Sequence, residues 1–140
     1  MIYADFDYYT NQYLGNLLTA QDFPRLAKRA SEFIDYYTQG RAEKSTCVEQ
    51  IKLACCAVAE QQYMIDTALQ LSAKRLYAGM NEDGAEVQSE SVGSWSRSYR
   101  TGGESVAALS AVTGERKALA EAAARYLAHT GLISRGGCCR

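Results

Sequence analysis

Proline is almost missing from this chain: among 140 residues Pro24 is the only one. Histidine is equally scarce, with His129 alone. No run of about 18 apolar residues occurs, which is the length a membrane-spanning helix needs, so no segment is expected to cross a membrane. Charge of one sign is not in excess either. Fifteen Lys+Arg face 16 Asp+Glu, for a formal net charge of −1. That balance excludes a strongly basic nucleic-acid binder and an acidic disordered tail. The opening, MIYADFDYYTNQYLG, is acidic and aromatic, with no basic stretch leading into an apolar one. It does not read as a signal peptide, and a cytosolic protein is the expectation.

The chemical motifs missing from the chain are as informative. Neither Gly-x-x-x-x-Gly-Lys-Ser/Thr nor Gly-x-Gly-x-x-Gly occurs, so no phosphate-cradling loop is expected. The five cysteines are Cys47, Cys55, Cys56, Cys138 and Cys139. They form no Cys-x-x-Cys, and with one histidine they offer no zinc-ligand spacing. An odd count with two adjacent pairs does not suit a secreted disulfide framework. Cys55 and Cys56, inside LACCAV, are expected to be buried and to act as small hydrophobes. The ending GGCCR is not a prenylation box, because one residue follows Cys139, and it reads as a loose tail.

Catalytic groupings are poor. His129 sits near the end of a helical stretch, where a histidine suits the helix dipole, and no triad partner is at hand. The carboxylate pairs Glu82 with Asp83 and Glu86 with Glu90 lie in a Gly/Ser-rich stretch and are expected to be solvated. The expectation is no enzyme: no catalytic residue, no cofactor and no metal.

What the chain does have is alanine, 21 residues of it, and alanine favours helix. Residues 23–39 carry apolar side chains at Phe23, Leu26, Ala27, Ala30, Phe33, Ile34 and Tyr37, the spacing of one helical face. Asp22 is the expected N-cap, Pro24 suits the first turn, and Gly40 suits the stop. A second helix is expected from Thr46, with Thr46 and Glu49 as a capping box. Ile51, Ala54, Cys55, Val58, Ile65 and Leu69 form one stripe, and Leu53, Ala57, Met64 and Leu71 a second. A helix apolar on two sides is the expected central one. Residues 104–112 suggest a short helix broken at Gly114. Residues 115–128 suggest a firmer one with Ala118, Leu119, Ala122, Ala123, Tyr126 and Leu127 inward, closed by Gly131.

Between these helices, residues 81–103 read NEDGAEVQSESVGSWSRSYRTGG, without a helical stripe. A stretch this long without helix points to a functional loop. β-formers at Val87, Val92, Trp95 and Tyr99 allow a strand or hairpin arm. The fold class is therefore all-α: a small helical bundle with a long central helix and an extended interaction loop or β-arm. Length favours a single domain. Its parts are an aromatic opening (1–22), a helical core (23–79), the loop (80–104), a C-terminal helical region (105–130) and a tail (131–140).

Interaction chemistry is richer than catalytic chemistry. Ten Tyr and one Trp supply the large amphipathic side chains that interfaces favour. Tyr3, Phe6, Tyr8, Tyr9 and Tyr13 crowd the opening, where they serve either the core or a partner. Trp95, between Ser94 and Ser96, has few core neighbours in sequence and is expected to bury itself in a partner. Residues 1–90 carry 8 Lys+Arg against 13 Asp+Glu, and residues 91–140 carry 7 against 3. A chain with one acidic and one basic part can pair head to tail with its own copy, and such a contact closes into a ring if its rotation allows. The basic residues after 90 are spread out rather than clustered, which speaks against a nucleic-acid footprint.

Several segments resemble the head-tail connector (adaptor, or head-completion) proteins of tailed bacteriophages. They are YADFDYYTNQYLG, FPRLAKRASEFIDYYTQGR, SESVGSWSRSY and YLAHTGLISRG, in order along most of the chain. In the loop motif Ser89, Glu90, Val92, Gly93, Ser96, Ser98 and Tyr99 match the family pattern, while Arg97 stands where that pattern is apolar. The resemblance implies a structural virion protein forming a ring of twelve copies between the portal protein and the next neck, stopper or tail component. Such a ring extends the DNA channel at the capsid vertex. Its location would be the virion neck, with assembly in the host bacterial cytoplasm. DNA would be transiting cargo, and no membrane would be involved. The expected interface residues are Tyr3, Tyr8, Tyr9, Ser89, Glu90, Val92, Gly93, Trp95, Ser96, Arg97, Tyr99, Leu132, Ile133 and Arg135. The alternatives are a helical nucleic-acid-binding or regulatory module, and an enzyme using the loop carboxylates.

Overall fold

The computed structural model describes the backbone of residues 1–79, 89–92, 95–98 and 103–134, and the side chains of residues 1–74 and 114–134. Among the described residues four α-helices dominate: α1 (Phe6–Asn11), α2 (Phe23–Thr38), α3 (Val48–Gly79) and α4 (Gly103–Leu127). A 3₁₀ turn, Ala128–Thr130, follows α4. Strands β1 (Ser89–Val92) and β2 (Trp95–Ser98) pair antiparallel as a hairpin. The protein is a small helical bundle of the all-α class, with a long central helix and a β-arm. Among the described residues no helix is long and apolar enough to cross a membrane.

The chain divides into two compact units, Met1–Met64 with Lys117–Arg140, and Ile65–Arg116. The first unit holds the described core. Its floor is α2, which buries Phe23, Leu26, Ala27, Ala30 and Ile34 as the helical spacing requires. Phe33 and Tyr37, expected inward, are half-exposed instead and stack on each other at 5.7 Å. The small polar residues Ser31 and Thr38 take inner positions because each satisfies its hydroxyl against the preceding turn. Ser31 donates to the Ala27 carbonyl at 2.7 Å and Thr38 to the Ile34 carbonyl at 2.8 Å.

Helix ends differ from the expected ones in instructive ways. Asp22 makes no side-chain cap for α2. Thr19 does that work: its hydroxyl accepts from the Asp22 N–H at 3.2 Å and donates to the Asp22 carboxylate at 2.8 Å. The chain turns one step earlier than Asp22 alone suggests, with the Phe23 N–H already bonded to the Thr19 carbonyl. At the other end Gln39 is left-handed, with φ +56°, ahead of Gly40 at +72°. The Gly40 N–H closes on the Asp35 carbonyl at 2.8 Å, a Schellman-type stop.

Helix α3 begins at Val48, two residues after the expected start at Thr46. Ala54 through Ala59 are all buried, so the helix is enclosed on every side there, as a central helix should be. Cys55 and Cys56 are free thiols with no exposed surface. Burial pushes both thiols above their ordinary pKa, Cys56 to about 12, so each stays protonated and unreactive. From Thr67 to Lys74 the same helix is exposed throughout. Leu69 and Leu71, expected to be in the stripes, point to solvent at 46% and 52% exposure, and Met64 does so at 47%.

Helix α4 runs unbroken through Gly114, where a break was expected. Glycine lowers helix stability by about 1 kcal/mol, and in a helix of 25 residues the surrounding hydrogen bonds absorb it. Leu119, Ala123 and Leu127 face the core, and Gly131 adopts φ +73° after the 3₁₀ turn. Leu132 then folds back and is buried.

Candidate interaction surface

The aromatic opening is built as a clasp. Asp5 caps α1 by accepting from the Tyr8 N–H at 2.8 Å. Three residues of helix, a little under one turn, then place Phe6 and Tyr9 on the same side. Both rings reach Phe23 at the start of α2, with centroids 5.7 and 5.0 Å away. Tyr13 stacks on Tyr9 at 5.7 Å and meets Tyr126 of α4 at 6.4 Å.

Four tyrosine hydroxyls of this opening find three carboxylates on α2 and α3. Tyr3 donates to Asp35 of α2. Tyr8 donates to Glu49 at the start of α3, 2.9 Å away. Tyr9 and Tyr13 share Glu60 of α3, one on each oxygen, at 2.7 and 3.1 Å. Burial, reinforced by these carboxylates, raises the pKa of all four phenols, that of Tyr8 to about 12. A phenolate beside a carboxylate is disfavoured twice, by desolvation and by like charge.

Tyr9 is the centre of the arrangement. It has no exposed surface, and its hydroxyl accepts from the N–H groups of Leu17 and Leu18 while donating to Glu60. Tyr9 and Leu132 were expected at an interface, and both are core residues instead. Their apolar bodies fill space that the sequence pattern alone leaves unassigned. Tyr3, Tyr8 and Ile133 are half-exposed. Lys52 lies over the Tyr8 ring at 5.0 Å and also pairs with Glu49 at 3.8 Å. Glu49 is thus engaged by Tyr8 and Lys52, and not in the capping box expected with Thr46.

A cleft of about 190 Å³ opens beside Tyr13, Glu60, Gln61, Met64, Glu121 and Arg125. Both Glu60 oxygens already accept phenol hydrogens, so this carboxylate is committed to structure and not to acid–base work. His129 is exposed in the 3₁₀ turn. Among the described residues no group of His, Cys, Asp and Glu could hold a metal ion.

The remaining expected interface residues fall on the hairpin or outside the described residues. The register pairs Ser89 with Ser98, Glu90 with Arg97, Ser91 with Ser96 and Val92 with Trp95. By strand alternation, positions 90, 92, 95 and 97 share one face, and four serines share the other. Gly93, Tyr99 and Arg135 lie outside the described residues, as do the carboxylates of residues 82–86 and the pair Cys138 and Cys139.

Sequence reasoning missed α1 and the three acceptors Asp35, Glu49 and Glu60. A signal for α1 was present: Asp5 followed by aromatics at positions 6, 9 and 13 is a cap plus one helical face. The acceptors carried no such signal, because a lone carboxylate on a helix looks the same whether it meets water or a phenol. No known protein family, no curated protein and no solved structure matches this chain.

Proposed function

We propose that this protein is a structural building block of the head-tail connector kind. It would form a ring on the portal protein of a tailed bacteriophage and receive the next neck, stopper or tail component. On this reading it acts at the virion neck after assembly in the bacterial cytoplasm, works without catalysis, and meets DNA as cargo passing through the ring.

One observation supports the reading most. One of the four segments that carry the resemblance, SESVGSWSRSY, coincides with the hairpin Ser89–Ser98, whose register sets positions 90, 92, 95 and 97 apart from a row of serines. A strand pair with one face of mixed aromatic, apolar and charged residues suits a surface that a neighbour completes. The exposed leucines of α3, Leu69 and Leu71, add apolar surface that a monomer gains nothing from exposing.

The test is direct. The purified protein is mixed with a portal complex, and bound rings are sought by electron microscopy and sedimentation. A ring on the portal supports the reading, and an unoccupied portal at high protein concentration rejects it. Limited proteolysis adds a second readout: cleavage within residues 81–103 in the free protein should be suppressed on assembly. DNA affinity that falls steeply with salt, without portal binding, would favour a nucleic-acid module instead.

A further inference from the structure

The geometry points to a second use of the clasp: the opening segment, residues 1–13, can be exchanged between two copies of this chain, each arm seating on the body of the other. The partner is therefore a second copy, and the surface it fits is the one that receives the arm at home. That surface is Phe23, Asp35, Glu49 and Glu60.

The first support is how the arm is held. Its contacts with the body are a cluster of rings and four phenol-to-carboxylate hydrogen bonds. These bonds run from side chains of residues 3–13 to groups on α2 and α3, with the Tyr3 N–H on Ser31 and the Tyr13 ring against Tyr126 of α4 beside them, so the arm is a discrete plug in a fitted socket. An identical arm from another copy satisfies every one of them without any new complementarity.

The second support is the link between plug and body. The chain folds back immediately after α1, with the Gly15 N–H bonded to the Tyr9 carbonyl at 3.0 Å. To make that fold, Leu14 adopts φ +59°, a left-handed conformation that a branched side chain resists. Its side chain is 77% exposed, so packing returns nothing for the strain. Gly15 next to it is pressed so closely on the Tyr9 ring that a Cβ would overlap the ring. A short, strained link between a plug and its socket is the recognised condition for exchange. Opening the link lets Leu14 return to an extended conformation, while the arm keeps its bonds on a neighbour.

The experiment uses the pure full-length chain, without portal, so its outcome is separate from that of the ring reading. Oligomeric state is followed by sedimentation over a wide concentration range. Leu14→Gly removes the strain without touching the socket, and the exchanged dimer should weaken by about a hundredfold, about tenfold for the left-handed residue in each of its two links. Removing Gly15 and Asn16 makes the fold-back too short to close, and the chain should become an obligate dimer with unchanged helix content. A complementation pair gives an independent readout: a copy with Tyr9→Ala in the arm is mixed with a copy carrying Glu60→Ala and Phe23→Ala in the socket. Exchange predicts enrichment of the mixed dimer over either homodimer, because it restores one intact arm-and-socket pair. A monomeric or unfolded shortened chain, a Leu14→Gly protein with unaltered association, or random mixing of the complementation pair would each overturn the proposal.

Discussion

Helix α3 passes through two surroundings, and the contrast separates what holds this protein together from what it has to offer. Between Ala54 and Ala59 every residue is buried, including two cysteines. Between Thr67 and Lys74 every residue is exposed, including Leu69 and Leu71. The second stretch is the more polar, with Thr67, Gln70, Ser72 and Lys74, yet Leu69 and Leu71 beside them are exposed as well, so being apolar is not enough to bury a side chain of this helix. The first lies in the unit Met1–Met64 with Lys117–Arg140, where α1, α2 and the end of α4 surround it. The second belongs to Ile65–Arg116. The lesson is that the same kind of helix is a core in one place and a surface in the other, depending on what is packed around it.

Substitutions should split along this line. The largest effect is expected at Tyr9. Tyr9→Ala empties a fully enclosed site and strands the Leu17 and Leu18 N–H groups, for a loss of about 3–5 kcal/mol in urea unfolding. A loss below about 1 kcal/mol would mean the clasp is not part of the core. Next, two glycines should respond with opposite sign. Gly15→Ala drives a methyl into the Tyr9 ring and should destabilise by about 1–3 kcal/mol. Gly114→Ala, in the middle of α4 with open space around it, should stabilise by about 0.5–1 kcal/mol through helix propensity. Thermal melts of the two variants check both signs.

A weaker effect should follow pH. The folded pKa of Tyr8 is raised to about 12 by burial and by its bond to Glu49, against an ordinary value of 10. The neutral phenol is the bonded form, so its contribution is complete below pH 10 and is lost as pH rises from 10 through 12. Tyr3, Tyr9 and Tyr13 are raised in the same direction. Tyrosinate absorbance should therefore titrate late in the folded protein, and urea stability should fall over that alkaline window. A titration centred at the ordinary value for all ten tyrosines would contradict the clasp. The smallest effect is expected at Leu71. Leu71→Ala should leave the monomer's stability within about 0.5 kcal/mol, since half of the side chain is already in water. If the exposed part of α3 serves assembly, the same variant should still lose ring formation on the portal.

Particular residues show how far the sequence could be read. Phe23, Leu26, Ala27, Ala30 and Ile34 declared a helix face, because helical spacing is local and needs no knowledge of the partner. Cys55 and Cys56 in LACCAV declared burial, because six consecutive small or apolar residues leave no polar face. The hairpin was legible as a possibility, from β-formers in rough alternation at Val87, Val92, Trp95 and Tyr99. Gly114 misled, since a single glycine is a cost that a long helix tolerates. Tyr9 and Leu132 misled for another reason: tyrosine and a late leucine serve core and interface equally well, and neighbours decide between them.

By itself the sequence determined that α2 and α3 are helices, which residues of α2 form its buried row, and that ordinary catalytic and phosphate-binding motifs are missing. These follow from spacing, caps and composition, all of which act within a few residues. Only the tertiary structure decided that the tyrosines of the opening are tied to Asp35, Glu49 and Glu60, and that residues 54–59 of α3 are core while residues 67–74 are surface. The tyrosine ties join residues 32 to 51 positions apart. A hydroxyl or a leucine carries no local record of the group that will meet it across such a gap; packing alone supplies the partner.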